Sequence, residues 1–241
     1  MNFIRRHLYK HQLNRAATAA GLHLDARRNA PGWPIFRDIF IERRYALGFP
    51  FHRCATVVDV GAHFGYFSLF AAKNSADGSR ILSIEPGSAN FTLLQQNFAD
   101  NPQPHRRAVR AALSGQSGTG TLRLAASYNH SFHSGALNTG TRTEEVPLRT
   151  LTDLLDEAGM ATVDFLKLDC EGAEYDILFN CPNDTLARID TISLEFHDVG
   201  SAAHSGDRLY TFFRDRGYQV LDFSYHASRL NLNYGSLVVR R

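Results

Sequence analysis

The chain has 241 residues, 44% of them hydrophobic and 21% charged, with a formal net charge of +2. That composition suits a folded α/β protein and excludes a disordered, collagen-like or coiled-coil chain. No apolar run approaches the roughly 18 residues of a membrane-spanning helix. The near-neutral total hides a division, because residues 1–53 carry a net +7 and residues 54–241 a net −5. The basic segment is a candidate surface for nucleic acid, an acidic membrane or an anionic substrate, against the plainer reading of a solvated helical face.

Residues 1–50 read as helical. Phe3, Ile4, Leu8 and Leu13 fall at roughly helical spacing, Ile35, Phe36, Ile39 and Phe40 repeat it, and Pro31-Gly32-Trp33-Pro34 separates the two runs. The apolar patch from Ala16 to Leu24 is weak and is followed by Asp25, Arg27 and Arg28, so no signal peptide is expected. After Pro50 the pattern changes to a β-branched strand, Thr56-Val57-Val58-Asp59-Val60, running into glycine. A helix is predicted from Tyr66 to Asn74, a strand from Arg80 to Glu85, a helix from Ser88 to Asp100 and a strand from Arg107 to Leu113. Residues 114–143, rich in Gly, Ser, Thr and Asn, predict a strand at Thr119 to Ala125 and then a long functional loop. A strand at Glu144 to Leu148, a helix at Thr150 to Ala158, a strand at Val163 to Leu168 and a helix at Glu174 to Asn180 follow. Thr191 to Phe196 is a further strand, His204 to Arg216 a helix, and Tyr218 to Phe223 with Ser236 to Arg240 a closing pair of strands. Strand alternating with helix predicts a doubly wound, Rossmann-like parallel sheet with a terminal hairpin. The division of charge and pattern suggests an N-terminal helical extension, 1–53, and an α/β domain, 54–241.

Cys54, Cys170 and Cys181 are odd in number and form no C-x-x-C pair. They predict buried thiols, neither a disulfide framework nor a structural zinc site, and a reducing, cytoplasmic setting.

Ligands of such sheets bind outside the carboxyl ends of the strands. There the chain reads Asp59-Val60-Gly61-Ala62-His63-Phe64-Gly65, a turn whose glycines permit close approach of backbone and ligand. Glu85 ends the next strand, where a carboxylate accepts hydrogen bonds from ribose hydroxyls. The loop is neither G-x-G-x-x-G nor a P-loop. Its two glycines and its leading acid favour the cationic S-adenosylmethionine over a pyrophosphate cofactor.

Three stretches, VVDVGAHFGYFSL (57–69), FLKLDCEGAEYDIL (165–178) and SLEFHDV (193–199), resemble the FkbM family of S-adenosylmethionine-dependent methyltransferases. IEPGSANFTLLQQN (84–97) and VPLRTLTDLL (146–155) match in order and spacing, so the resemblance covers about residues 55–240. It implies a class I methyltransferase sheet of seven strands, the last antiparallel, and O-methylation of natural products or sugars. Asp59, Gly61 and Gly65 would then line the methionine end of the cofactor and Glu85 its ribose. Ala112, in the stretch Ala111-Ala112-Leu113-Ser114, would lie against adenine. His63 stands where the family usually has Asn, and is expected to face the cofactor or the substrate.

The strand ends add Asp169 and Glu171 after the fourth core strand, and Glu195 and His197 in the fifth. Alternation places each i, i+2 pair on one side of an extended strand. Three carboxylates and an imidazole beside the cofactor loop suggest catalysis. Either His197 or a carboxylate of raised pKa is the base, or the carboxylates hold Mg²⁺. The plainer reading is an ion-pair network with Lys167 or Arg188. The loop Tyr128-Asn129-His130-Ser131-Phe132-His133-Ser134 is a candidate lid over the substrate, and its H-x-x-H is no zinc signature.

The sequence therefore predicts an O-methyltransferase with a small-molecule or glycan substrate and possible homo-oligomers. The alternatives are a nucleic-acid methyltransferase and a non-catalytic cofactor-binding interaction protein. Acidic residues at Asp169-Cys170-Glu171-Gly172 disfavour nucleic acid, whose phosphates they repel.

Overall fold

The computed structural model describes residues 3–46, 49–124, 130–131, 142–198, 203–226 and 234–241. The extension forms α1 (Phe3–Ala19), α2 (Ala26–Asn29) and α3 (Trp33–Phe40), with a 3₁₀ turn at Ala30–Gly32 between the last two. Asp25 caps α2 by accepting from Arg27 N, and prolines stand in the first turns of the 3₁₀ segment and of α3.

The α/β part runs β1 (Thr56–Val60), α4 (Tyr66–Asn74), β2 (Arg80–Ile84), α5 (Ser88–Asp100), β3 (Arg106–Val109) and β4 (Ala112–Leu113). It continues through β5 (Gly118–Leu124), β6 (His130–Ser131), β7 (Arg142–Arg149), α6 (Leu151–Glu157), β8 (Val163–Leu168), α7 (Glu174–Phe179) and α8 (Asn183–Leu186). It ends with β9 (Ile189–His197), α9 (Gly206–Arg214), β10 (Gln219–His226) and β11 (Tyr234–Arg240). Seven strands form one sheet in the order β10-β11-β9-β8-β1-β2-β3. Neighbours are parallel except β11, which is antiparallel to both β9 and β10. This is the Rossmann-like class I sheet with its seventh strand reversed, as the sequence predicts.

The strand expected over 107–113 is two strands. After Val109 the chain leaves the large sheet, and β4 pairs instead with β7 in a small sheet of order β4-β7-β5-β6. β5 and β7 pair antiparallel from Gly118↔Leu148 to Leu124↔Arg142. The proposed lid, Tyr128–Ser134, lies outside the described residues apart from the backbone of β6.

The core has two main parts. One side of the sheet buries Val58, Leu82, Leu166 and Leu194 against α6, α7 and α9. On the other side, Leu13, Ala17, Trp33 and Phe36 of the extension join Val57, Phe67, Phe70 and Phe165 in a single cluster. Phe36 packs edge-on to Tyr66 at 5.3 Å. A Cβ at Gly32 would lie 2.7 Å from the Phe64 ring, so the turn entering α3 rests directly on the loop after β1. Segments 1–53 and 54–241 thus share one interior. No helix among the described residues is long and apolar enough to cross a membrane.

Candidate functional site

A cleft of about 240 Å³ opens outside the carboxyl ends of β1, β2 and β8, beside the point where strand order reverses. At one end it is lined by Gly61, Ala62, His63 and Glu85, with Ala111, Ala112, Leu113 and Leu122 forming an apolar slot. At the other end stand Asp169, Glu171 and Glu195, with Asp38, Arg44 and Tyr45 from the extension.

The turn after β1 needs left-handed backbone at Gly61 (φ 72°), His63 (φ 53°) and Gly65 (φ 79°). His, like Asn, is among the few non-glycine residues that enter this region readily, so His63 meets the backbone requirement of the turn. Its N–H donates to Glu85 Oε2 at 2.9 Å. Glu85 Oε1 accepts from Gly87 N at 3.0 Å and Asn90 Nδ2 at 3.2 Å. One carboxylate thereby ties the loop to the end of β2. Burial pushes Glu85 up to about 7 against those hydrogen bonds.

Two predicted cofactor residues lie elsewhere. Asp59 is fully buried beneath the loop, where Lys167 Nζ reaches Oδ1 at 3.0 Å and Ser68 Oγ donates to Oδ2 at 2.6 Å. Lys167 also donates to the carbonyls of Val60 and Gly61, at 3.2 and 2.9 Å. Asp59 and Lys167 are register partners across β1 and β8. The Asp59 charge is therefore met by a lysine, and its carboxylate does not line the cleft. Gly65 packs on α5, where a Cβ would lie 2.8 Å from Phe98. Gly61 lines the cleft, yet its lack of a Cβ is demanded first by the Asp169 carbonyl, 1.8 Å from where a Cβ would sit.

The acidic end is assembled by register. Leu168 pairs with Leu194 and His197 with Tyr234, so the residues after β8 meet the end of β9. Glu195 and His197 are both in β9, and alternation brings them to one side. The other pair does not obey alternation: β8 stops at Leu168, and Glu171 turns into left-handed backbone at φ 53°. It is Glu174, fully buried at the start of α7, that shapes this turn, accepting from Cys170 N at 2.8 Å and Gly172 N at 3.0 Å.

His197 sits behind the cleft wall. Its Nε2 lies 3.7 Å from Glu171 Oε2 and 3.5 Å from Glu195 Oε1, and its Nδ1 lies 3.5 Å from Glu174 Oε1. These are ion-pair contacts rather than tight hydrogen bonds. Burial opposes charge on His197, but the flanking carboxylates of Glu174, Glu195 and Glu171 push it up to about 12. Burial likewise pushes Glu171 up to about 7, reinforced by Asp169 and Glu174 and moderated by His197. Asp169 goes the other way. Burial would raise it, but Lys167, His197, the Tyr45 hydroxyl and Arg44 hold it below the usual carboxylate range.

Ligand atoms of Asp169, Glu195 and His197 lie within 4.8 Å of one another. A hard divalent ion does not fit this set as arranged, because Lys167 and Arg44 already face the carboxylates and the carboxylates around His197 favour its protonated form. Of the two cations weighed for an ion-pair network, Lys167 is in the site and Arg188 pairs with Asp156 at 2.6 Å. Sequence reasoning did not single out Glu174, Arg44 or Tyr45. Glu174 stood in the quoted LKLDCEGAE stretch, while Arg44 and Tyr45 carry no local pattern.

Residues 59–220 match the family described as Methyltransferase FkbM domain. The chain is 26% identical over 217 residues to the 31-O-demethyl-FK506 methyltransferase FkbM of Streptomyces tacrolimicus, covering 78% of this chain and 82% of that one. It is 29% identical over 185 residues to Methyltransferase 1 of Beauveria bassiana, covering 68% and 73%. It is 25% identical over 228 residues to the AMB antimetabolite synthetase AmbE of Pseudomonas aeruginosa, covering 77% of this chain and only 10% of that long synthetase. Among solved structures, the methyltransferase domain of METTL16 superposes with a TM-score of 0.56 at 15% identity, covering 100% of this chain and 99% of the other, a likeness of fold.

Proposed function

The chain belongs to the FkbM methyltransferase family, and from that premise we propose that it methylates a hydroxyl oxygen of a small molecule, sugar or glycan. It is an S-adenosylmethionine-dependent methyltransferase. The observation that carries the hydroxyl reading is the adjacency, in one cleft, of a ribose-type carboxylate beside an apolar slot and a second carboxylate, Glu171, pushed up to about 7.

The residues present fit the cofactor. Glu85 would hold the ribose, the Ala112 slot the adenine, and the backbone around Gly61 and His63 the amino-acid end. When bound, S-adenosylmethionine supplies an electrophilic methyl group on a sulfonium. The acceptor oxygen must lose its proton as it takes that methyl group, and Glu171 is the proposed base because it is ionisable near neutral pH. The carboxylates around His197 favour its protonated form, so in this reading it is not the base and instead stabilises negative charge on Glu171, Glu174 and Glu195. Asp169 and Glu195 orient the acceptor hydroxyls, and positioning supplies much of the rate. The four carboxylates at that end, Asp38 among them, support an uncharged or cationic acceptor over the phosphates of a nucleic acid.

Methyl-labelled S-adenosylmethionine, offered with a panel of glycosides, alcohols and phenols and read by mass spectrometry, should label an oxygen. Labelling of nitrogen or of nucleic acid would overturn the hydroxyl reading. In the same assay Glu171→Gln should lower turnover by about 10²- to 10⁴-fold, and should abolish the rise of the wild-type rate as pH increases through about 7.

A further inference from the structure

Resting on that reading, we propose that Arg44 and Tyr45, the turn that ends the helical extension, are positioning residues of the acceptor site, each gripping one strand-end carboxylate. Tyr45 Oη donates to Asp169 Oδ2 at 2.7 Å. Arg44 Nη1 meets Glu195 Oε2 at 3.1 Å. Two consecutive residues of the extension therefore hold the ends of β8 and β9, more than a hundred positions further along the sequence. All four side chains border the cleft.

Both grips are themselves braced. The Tyr45 ring stands edge-on to Phe67 at 5.8 Å, and Lys167 Nζ lies 5.2 Å from its centroid. Arg44 reaches Asp38 at 3.9 Å and lies over the Tyr234 ring at 6.0 Å. Packing alone would be served as well by Phe at position 45. The buried hydroxyl costs desolvation, which the bond to Asp169 offsets. That bond anchors one oxygen of the carboxylate, as an acceptor site needs. The salt link at Arg44 does the same for Glu195. The acceptor end is thus complete only with the extension docked.

The groups facing Asp169 are Lys167 from β8, His197 from β9, Glu171 from the same turn, and Arg44 and Tyr45 from the extension. Tyr45→Phe keeps the ring and deletes one donor. In full-length protein carrying ¹³C at aspartate carboxyls, the Asp169 signal is identified by its loss in Asp169→Asn. In Tyr45→Phe its titration midpoint should rise by about one pH unit. On the acceptor labelled in the transfer assay, kcat at pH 7 should fall by roughly tenfold, with KM and S-adenosylhomocysteine affinity within about twofold of wild type. An unchanged Asp169 titration, or an unchanged kcat, would overturn the proposal. Absence of oxygen methylation by the wild-type protein would instead overturn the reading on which it rests, before any variant is made.

Discussion

At position 61 no side chain can be accommodated. A Cβ would sit 1.8 Å from the Asp169 carbonyl, in a backbone of φ 72°. The glycines of the loop and the acid before it were legible in the sequence, but their partners were not. Asp59 reads as a group facing a cationic ligand because spacing along one strand says nothing of what lies across it. Its counter-charge, Lys167, comes from a strand 108 positions later. A buried pair of this kind is costly to break from one side, since the remaining charge has neither water nor partner. Lys167→Ala should therefore destabilise the fold by about 3–5 kcal/mol, read as a lowered urea midpoint; a wild-type midpoint would show that Asp59 finds another partner. Glu171 and His197 are neighbours at 3.7 Å, as the strand-end pattern predicts, although only the second belongs to an extended strand. The turn that brings Glu171 inward depends on the buried Glu174, whose role emerges only when its two backbone donors are seen.

Among the elements, α3 binds the extension to the sheet. Phe36 is fully buried and stacks on Phe40 at 4.4 Å while meeting Tyr66 edge-on. Phe36→Ala should cost about 3–5 kcal/mol. Because the cluster is continuous across residues 1–53 and the sheet, the fluorescence of Trp33, the chain's one tryptophan, should report the same unfolding transition as far-UV circular dichroism. Two separated transitions would show the extension to be an independent unit. Periodicity marked nearly every helix and strand of the large sheet. It failed at 107–113, where neither glycine nor proline marks a stop and the break between β3 and β4 is a change of pairing partner, from β2 to β7. A change of partner is a tertiary event with no signature in the run itself.

Across the whole molecule, three raised pKa values act together. Glu85 and Glu171 stand at about 7 in the folded state against an ordinary 4.5, and His197 at about 12 against 6.5. A group whose pKa is raised by folding stabilises fully below its unfolded value and loses that contribution as pH climbs through the folded one. Stability contributed by the two glutamates falls between pH 4.5 and about 7, and that from His197 falls above 6.5. Asp169, held low, opposes them only in strong acid. The cofactor-free protein should thus melt at a higher temperature near pH 5 than near pH 8, with the difference reduced in a Glu85→Gln, Glu171→Gln double variant; a melting point that rises over that range would contradict the assignment.

The position of β11 has a consequence for biosynthesis. It lies between β9 and β10 and pairs residue by residue with Glu195, Phe196 and His197. While residues 234–240 are still unmade on the ribosome, β9 presents a bare edge of unpaired amides and carbonyls, and β10 has no strand to join. The nascent chain can assemble β1, β2, β3 and β8, but the strand that carries Glu195 and His197 gains its second neighbour only when that late strand threads into the gap. A pause in translation just before it would prolong exposure of an aggregation-prone edge.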